Sequence, residues 1–219
     1  MPERVEPLTI SLLCEEATTF ARRESQHDEP SICGVDNGKT IGTYFEHKFQ
    51  RHLRTRYSFA EGSSAKGIDF PGLNVDMKTT SIKQPQSSCP FKNARQKIFG
   101  LGYSVLLFVY RKTDDRSRRT ARLNILHTIF IEKRRTADYQ ITSKILETVR
   151  NDANQDDIVA LLLDRNLLVD DIEAHKIARE ILKHPPEVGY LTISNAYQSR
   201  LQYGRVIDKA GEIEGITRL

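Results

Sequence analysis

Asp69, Asp76 and Lys78 lie close together in the stretch GIDFPGLNVDMKTTSIKQPQSS, which runs from Gly67 to Ser88. Two aspartates are oxygen ligands of the kind magnesium prefers, with its remaining positions left to water and phosphate. A lysine beside them can position or deprotonate a metal-activated water, and offset charge that builds on a phosphate in the transition state. Water attack on a phosphodiester needs little else from a protein. The competing reading is a solvated sheet face on which an acid-x-Lys pattern has arisen by chance.

The flanking residues say how these groups are held. Leu73, Val75 and Met77 alternate with Asn74, Asp76 and Lys78, which is strand periodicity. Successive side chains on a strand point to opposite faces, so Asp76 and Lys78 share the polar one. Pro71-Gly72 is a turn signal. If it closes a hairpin, Asp69 falls opposite Asn74, with Asp76 its diagonal neighbour at ~7–8 Å between backbone positions.

Upstream, Thr40 is placed to cap a helix running to about Arg56, with Ile41, Phe45, Phe49 and Leu53 as its apolar stripe. Glu46 borders that stripe, either as a snorkelled surface group or as a partner for the sheet site. His47 and His52 are expected to face solvent or phosphate. An earlier helix is expected over Leu8 to Ser25, with Arg22 and Arg23 in its last turn, and a loop over Gln26 to Lys39.

Downstream, Ser81 to Lys97 reads as a polar, basic loop followed by a short helix. Tyr103 to Tyr110 is a continuous apolar run, expected as a buried central strand. Arg111 to Thr120 reads as a charged connection, and Ala121 to Ile131 as a further strand carrying a packed or edge His127. Helices are expected over Ile141 to Val149, Ile158 to Leu168 and Ile172 to Leu182. Gly189 to Leu219 is ambiguous, with Asn195, Gln198, Arg200, Gln202, Tyr203 and Arg205 as polar groups that recognition could use.

At 219 residues, with 28% charged and 38% hydrophobic residues, the chain is expected to form one soluble domain, 1–219. Its catalytic core would span about 40–132 and a helical part about 138–219. No apolar run reaches the ~18 residues of a membrane helix, and the N-terminus lacks a secretory pattern. Cys14, Cys33 and Cys89 are odd in number and widely spaced, which fits reduced thiols in a cytoplasmic protein. The net charge is only +4, but Lys and Arg cluster in Lys83 to Lys97, Arg111 to Arg122 and Lys133 to Arg135, as for a polyanion partner.

Ile68-Asp69 followed by Asp76-Met77-Lys78 resembles the motif of the PD-(D/E)XK nuclease superfamily, with Ile68 where proline is usual. The resemblance extends from about Gly42 to Tyr110. It implies an α/β fold, a restriction-endonuclease-like mixed β-sheet core flanked by helices. By size and by the polar QPQSS segment, the chain is most like type II restriction endonucleases.

That resemblance implies a magnesium-dependent enzyme cutting double-stranded DNA at a short specific sequence, usually as a homodimer. Asp69 and Asp76 would hold Mg2+, Lys78 would act on the attacking water, and Glu46 would match the helix glutamate of many members. Lys83, Gln84, Gln86, Ser87, Ser88, Lys92, Arg95 and Lys97 become the candidates to approach DNA: Gln84, Gln86, Ser87 and Ser88 at the groove, and Lys92, Arg95 and Lys97 at phosphates. The alternatives are a repair or structure-specific nuclease of the same fold, and a non-catalytic DNA-binding module.

Overall fold

A computed structural model describes residues 6–60, 62, 67–88, 90–165, 167, 169–194 and 200–219. Its α-helices are α1 (Ile10–Glu24), α2 (Gly38–Arg54), α3 (Ala94–Phe99), α4 (Tyr139–Arg150), α5 (Gln155–Asp164), α6 (Asp171–Lys183) and α7 (Gly204–Lys209). Its strands are β1 (Glu6–Pro7), β2 (Asp28–Glu29), β3 (Tyr57–Ser58), β4 (Val75–Ser81), β5 (Gln86–Ser88), β6 (Ser104–Asp115), β7 (Thr120–Ile131), β8 (Thr192–Ser194), β9 (Arg200–Gln202) and β10 (Ile216–Arg218). The described residues divide between two compact units, one from Met1–Ser87, Val105–Ile131 and Lys209–Leu219, the other from Ser88–Ser104 and Glu132–Asp208. The fold is mixed α/β with helices against a sheet, as the sequence leads one to expect.

The first unit is built on a sheet ordered β10-β7-β6-β4, with β2 also pairing β7. β6 and β7 pair antiparallel from Val105↔Ile131 to Asp115↔Thr120, with a register shift between Val109 and Tyr110, so the charged segment from Arg111 is strand rather than connection. Backbone pairing with β7 fixes that segment, whatever the charge of its exposed side chains. Val105 to Tyr110 is buried throughout.

Two helices pack on this sheet. Thr9 caps α1 by accepting the Leu12 N–H, and Leu13, Ala17, Phe20 and Ala21 form its buried stripe. α2 starts earlier than Thr40 suggests: Asn37 is the cap, its side chain accepting from the Lys39 and Thr40 N–H groups. The stripe Ile41, Phe45, Phe49 and Leu53 is fully buried. Phe45 sits 4.8 Å and Phe49 5.4 Å from the Phe108 ring on β6, while Phe20 of α1 lies 5.3 Å from Phe45. Each buried ring contributes about 2–3 kcal/mol by removal from water, so α2 is fixed on the sheet chiefly by aromatic contact.

His52 does not face solvent. It is buried against Phe20, with Nε2 2.6 Å from Glu16 and Nδ1 3.3 Å from Arg23. Arg56 and Tyr57 also donate to Glu16, so one buried carboxylate ties α1 to the end of α2.

The second unit has its own core. Ile98 of α3, Ile145 of α4, Ile158 and Leu162 of α5 and Ile177 and Ile181 of α6 meet there. The helices expected over 141–149, 158–168 and 172–182 are α4, α5 and α6, each starting one to three residues earlier at an Asp or Asn cap. The ambiguous tail resolves into the β8–β9 hairpin, α7 and β10. Asn195, Gln198 and Cys89 lie outside the described residues; Cys14 and Cys33 are half-buried free thiols.

Candidate active site

All four side chains proposed for chemistry belong to the first unit. The turn that presents them is longer than a two-residue hairpin. Phe70 and Val75 exchange both backbone hydrogen bonds, at 2.9 and 3.2 Å, and Pro71 to Asn74 form the loop between them. Asn74 takes φ 56°, a left-handed conformation that asparagine tolerates better than most residues. Continuing that register sets Asp69 across from Asp76 rather than from Asn74, so the carboxylates become direct neighbours. Leu73 falls in the turn, half-buried against the core, and Phe70 beside Phe59 is fully buried.

Asp69 is held at both oxygens. Oδ2 accepts the Met77 N–H at 2.8 Å, and Oδ1 accepts Gln50 Nε2 at 3.4 Å. Its carboxyl also reaches Asp76. Asp76 is only 3% exposed, which rules out a solvated sheet face, and its Oδ2 lies 2.6 Å from Lys78 Nζ. Val75 and Met77, on the other face of β4, are fully buried.

Glu46 reaches the cluster from α2. Burial pushes its carboxyl up to about 7, with Asp69 and Asp76 pushing the same way and Lys78 opposing them. A Cβ built on Gly42, one turn earlier, would stand 3.7 Å from the Thr79 carbonyl and 4.0 Å from Glu46 Oε1. A methyl group there would make only ordinary contact with β4. Asp76 is also pushed up to about 7, by burial first; Lys78 pulls it down and Asp69 raises it again. Burial alone would lower Lys78, but Asp76, Asp69 and Glu46 outweigh it and keep the ammonium protonated.

Three carboxyls therefore share one ammonium, and burial in the first place, with repulsion from neighbouring carboxylates, raises Glu46 and Asp76 to about 7. Among the described residues no group of three His, Cys, Asp or Glu side chains is gathered closely enough to enclose a metal unaided. A donor set of two adjacent carboxylates with a third nearby suits a hard cation that completes its shell with water and phosphate.

Gln50 is the site residue that sequence reasoning passed over. The signal was available, because it follows Glu46 by four positions and so shares its helix face.

The residues considered for DNA contact are divided between the units. Lys83 and Gln84 are exposed in the turn after β4, where the Gln84 N–H donates to the Ser81 carbonyl. Gln86 and Ser87 are half-buried in β5, with the Gln86 N–H donating to Thr80 Oγ1 at 3.0 Å. Ser88, Lys92, Arg95 and Lys97 belong to the second unit. There Arg95 is gripped by both Glu180 oxygens and lies 5.0 Å above the Phe99 ring, so a phosphate would have to compete with that carboxylate.

Comparison with known proteins bears on what this site acts upon. No solved structure matches the chain. A family profile described as "Type II restriction enzyme NspV" matches residues 7–218. The type II restriction enzyme NspV of Nostoc sp. (strain ATCC 29411 / PCC 7524) is 59% identical over 209 residues, which cover 95% of each chain. Both units fall within that likeness, and with it the chain belongs to the NspV family of type II restriction enzymes.

Proposed function

We propose that Asp69, Asp76, Lys78 and Glu46 are the cutting centre of this site-specific deoxyribonuclease, working with Mg2+ on double-stranded DNA. The observation that carries the assignment is geometric: Asp69 and Asp76 adjoin across the turn, Lys78 Nζ lies 2.6 Å from Asp76 Oδ2, and Glu46 is close enough to feel all three, so three carboxyls share one ammonium and want positive charge. A divalent cation meets that want. Asp69 and Asp76 would hold it, with Glu46 supporting the shell from α2.

Bound there, the cation would supply positive charge against the phosphate and make water a better nucleophile. The chain's own residues do the rest. Met77 N–H and Gln50 fix the Asp69 carboxylate, so its orientation costs nothing when DNA arrives. Lys78, held as an ammonium by its neighbours, orients the attacking water and donates to the phosphate oxygens as their charge rises. Water adds to phosphorus, giving up one proton to bulk solvent, as the bond from phosphorus to the sugar oxygen breaks, and the departing alkoxide takes a proton from solvent.

The repair-nuclease and binding-module alternatives give way to family membership along nearly the whole chain. No described helix is long and apolar enough to cross a membrane. We further propose that the protein works in the cytoplasm as a homodimer on a symmetric site, which sedimentation with and without DNA would test.

Plasmid DNA incubated with and without Mg2+ tests the centre. Wild type should give discrete fragments only with the metal, and sequencing their ends gives the site. Asp76→Asn and Lys78→Met should fold normally, bind DNA with the steep salt dependence of phosphate contacts, and cut at least about 100-fold more slowly. Near-normal cutting by either variant would remove that residue from the centre.

A further inference from the structure

The second unit holds a run of neighbouring arginine and tyrosine side chains that the cutting centre does not use. The Arg135 guanidinium lies 5.9 Å from the Tyr190 ring centre, Tyr190 lies 5.9 Å from Tyr139, and Arg205 stands only 3.6 Å above Tyr139. The frame beneath them is firmly hydrogen-bonded. The Tyr190 N–H donates to the Arg135 carbonyl at 2.9 Å and the Tyr139 N–H to the Leu191 carbonyl at 2.8 Å. Beside them the Gly189 N–H donates to the buried Thr142 hydroxyl at 2.9 Å. Tyr139 opens α4, whose cap Asp138 accepts the Ile141 N–H.

The two arginines at the ends of this run are in different states. Arg135 is committed: Nη1 donates to the Val188 carbonyl at 3.2 Å and lies 3.5 Å from Glu187. Arg205 has no hydrogen bond or ion pair among the described residues, and its Nε is buried without an acceptor. A methionine would cover the Tyr139 ring without leaving a buried nitrogen unpaired, so packing alone does not account for arginine here. What the guanidinium adds is a flat fork of donors, fixed in orientation by the ring below it and with its Nη atoms uncommitted among the described residues.

We propose that Arg205 contacts the DNA that this enzyme cuts, presenting its Nη edge to a pair of acceptors. Guanine O6 and N7 in the major groove and two oxygens of one phosphate share that acceptor chemistry. The inference rests on the restriction-enzyme reading and deepens it, because it assigns a recognition residue to the second unit.

The test uses the full chain and fluorescence anisotropy in Ca2+, with one duplex carrying the site mapped by plasmid cleavage and one scrambled duplex. Arg205→Met should weaken binding to the mapped site about ten-fold or more, and Arg205→Lys should not restore it, since a lysine keeps the charge and loses the fork. Loss confined to the mapped site identifies a base contact. Equal loss on both duplexes, with a shallower salt dependence, identifies a phosphate contact. Either result supports the proposal.

Wild-type affinity in both variants, with wild-type discrimination, overturns it and leaves the enzyme reading intact. A wild type that fails to prefer its mapped site overturns both. If Arg205→Met melts lower, its binding is repeated well below that melting point; recovery there would show Arg205 to be only a clamp on Tyr139, which also overturns the proposal.

Discussion

Glu46→Gln should make the protein more stable in the absence of metal, and more so as pH rises. The carboxyl is raised from 4.5 to about 7 by burial beside two aspartates. Between those values the folded protein holds a proton that the unfolded chain has released, so this group costs stability as pH climbs through the window. From that shift the cost is about 1 kcal/mol at pH 5 and about 3 kcal/mol at pH 8. Glutamine is nearly isosteric and removes the charge. The figures are upper limits, because its amide must also be desolvated at the same place.

The assay is urea denaturation of wild type and Glu46→Gln in chelator at pH 5, 6, 7 and 8. The variant's advantage should grow with pH and level off near pH 8. Repeating the pH 8 series with millimolar Mg2+ or Ca2+ should close the gap, since a cation relieves the repulsion that the substitution relieves. A difference that is flat from pH 5 to 8, or a variant less stable than wild type at pH 8, would refute the placement of Glu46 in the cluster. Cutting gives an independent readout: wild-type activity should fall as pH drops below about 7, where Glu46 and Asp76 hold protons.

Other substitutions separate positioning from packing. Gln50→Ala should weaken Ca2+ binding, read by calorimetry, by roughly ten-fold, while Gln50→Glu should raise the pH at which the metal binds; unchanged binding in both would show that the 3.4 Å contact to Asp69 has no consequence. Gly42→Ala should be tolerated and gain up to about 1 kcal/mol, since its Cβ would make only ordinary contacts in a helix, whereas Gly42→Leu should displace α2 from β4 and lower cutting at equal protein concentration. Gly189→Ala should destabilise the chain by at least ~2–3 kcal/mol in the same denaturation assay, because its Cβ would fall 2.1 Å from the Ala137 carbonyl oxygen.

What the sequence reveals of this protein follows the range of the signal. Strand alternation is a property of neighbouring residues, so Asp76 and Lys78 are legible as a pair before any fold is known. The stripe Ile41, Phe45, Phe49 and Leu53 is legible for the same reason. The opposition of Asp69 to Asp76 is not, because it depends on a four-residue loop closed by a left-handed Asn74. A Pro-Gly pair points to a turn without fixing its length. Asn37 escaped as a cap because Asp36-Asn37-Gly38 has the composition of a loop, which is where a cap residue belongs. His52 and Glu16 escaped for a further reason: nothing local marks two residues on separate helices as buried partners.

Glu46 shows how the fold converts an ambiguous residue into an informative one. Its spacing from Phe49 and Leu53 leaves it at the border of an apolar stripe, where a carboxylate can bend to solvent or turn inward. The choice is made by what the stripe packs against. Because Phe45 and Phe49 meet Phe108 on β6, and Gly42 of the same helix lies against the Thr79 carbonyl of β4, the border of the stripe on Glu46's side faces the carboxylates of the turn. A lysine or a glutamine at position 46 would be easier to bury in that place. A glutamate adds negative charge where two aspartates already share one ammonium, and that raises the cost of folding without a cation. The same excess would make cation binding and the ionisation of the cluster one coupled event. On the proposal that this centre holds Mg2+, stability lost in chelator and regained with metal is its expected signature, and Glu46→Gln is the substitution that should erase it.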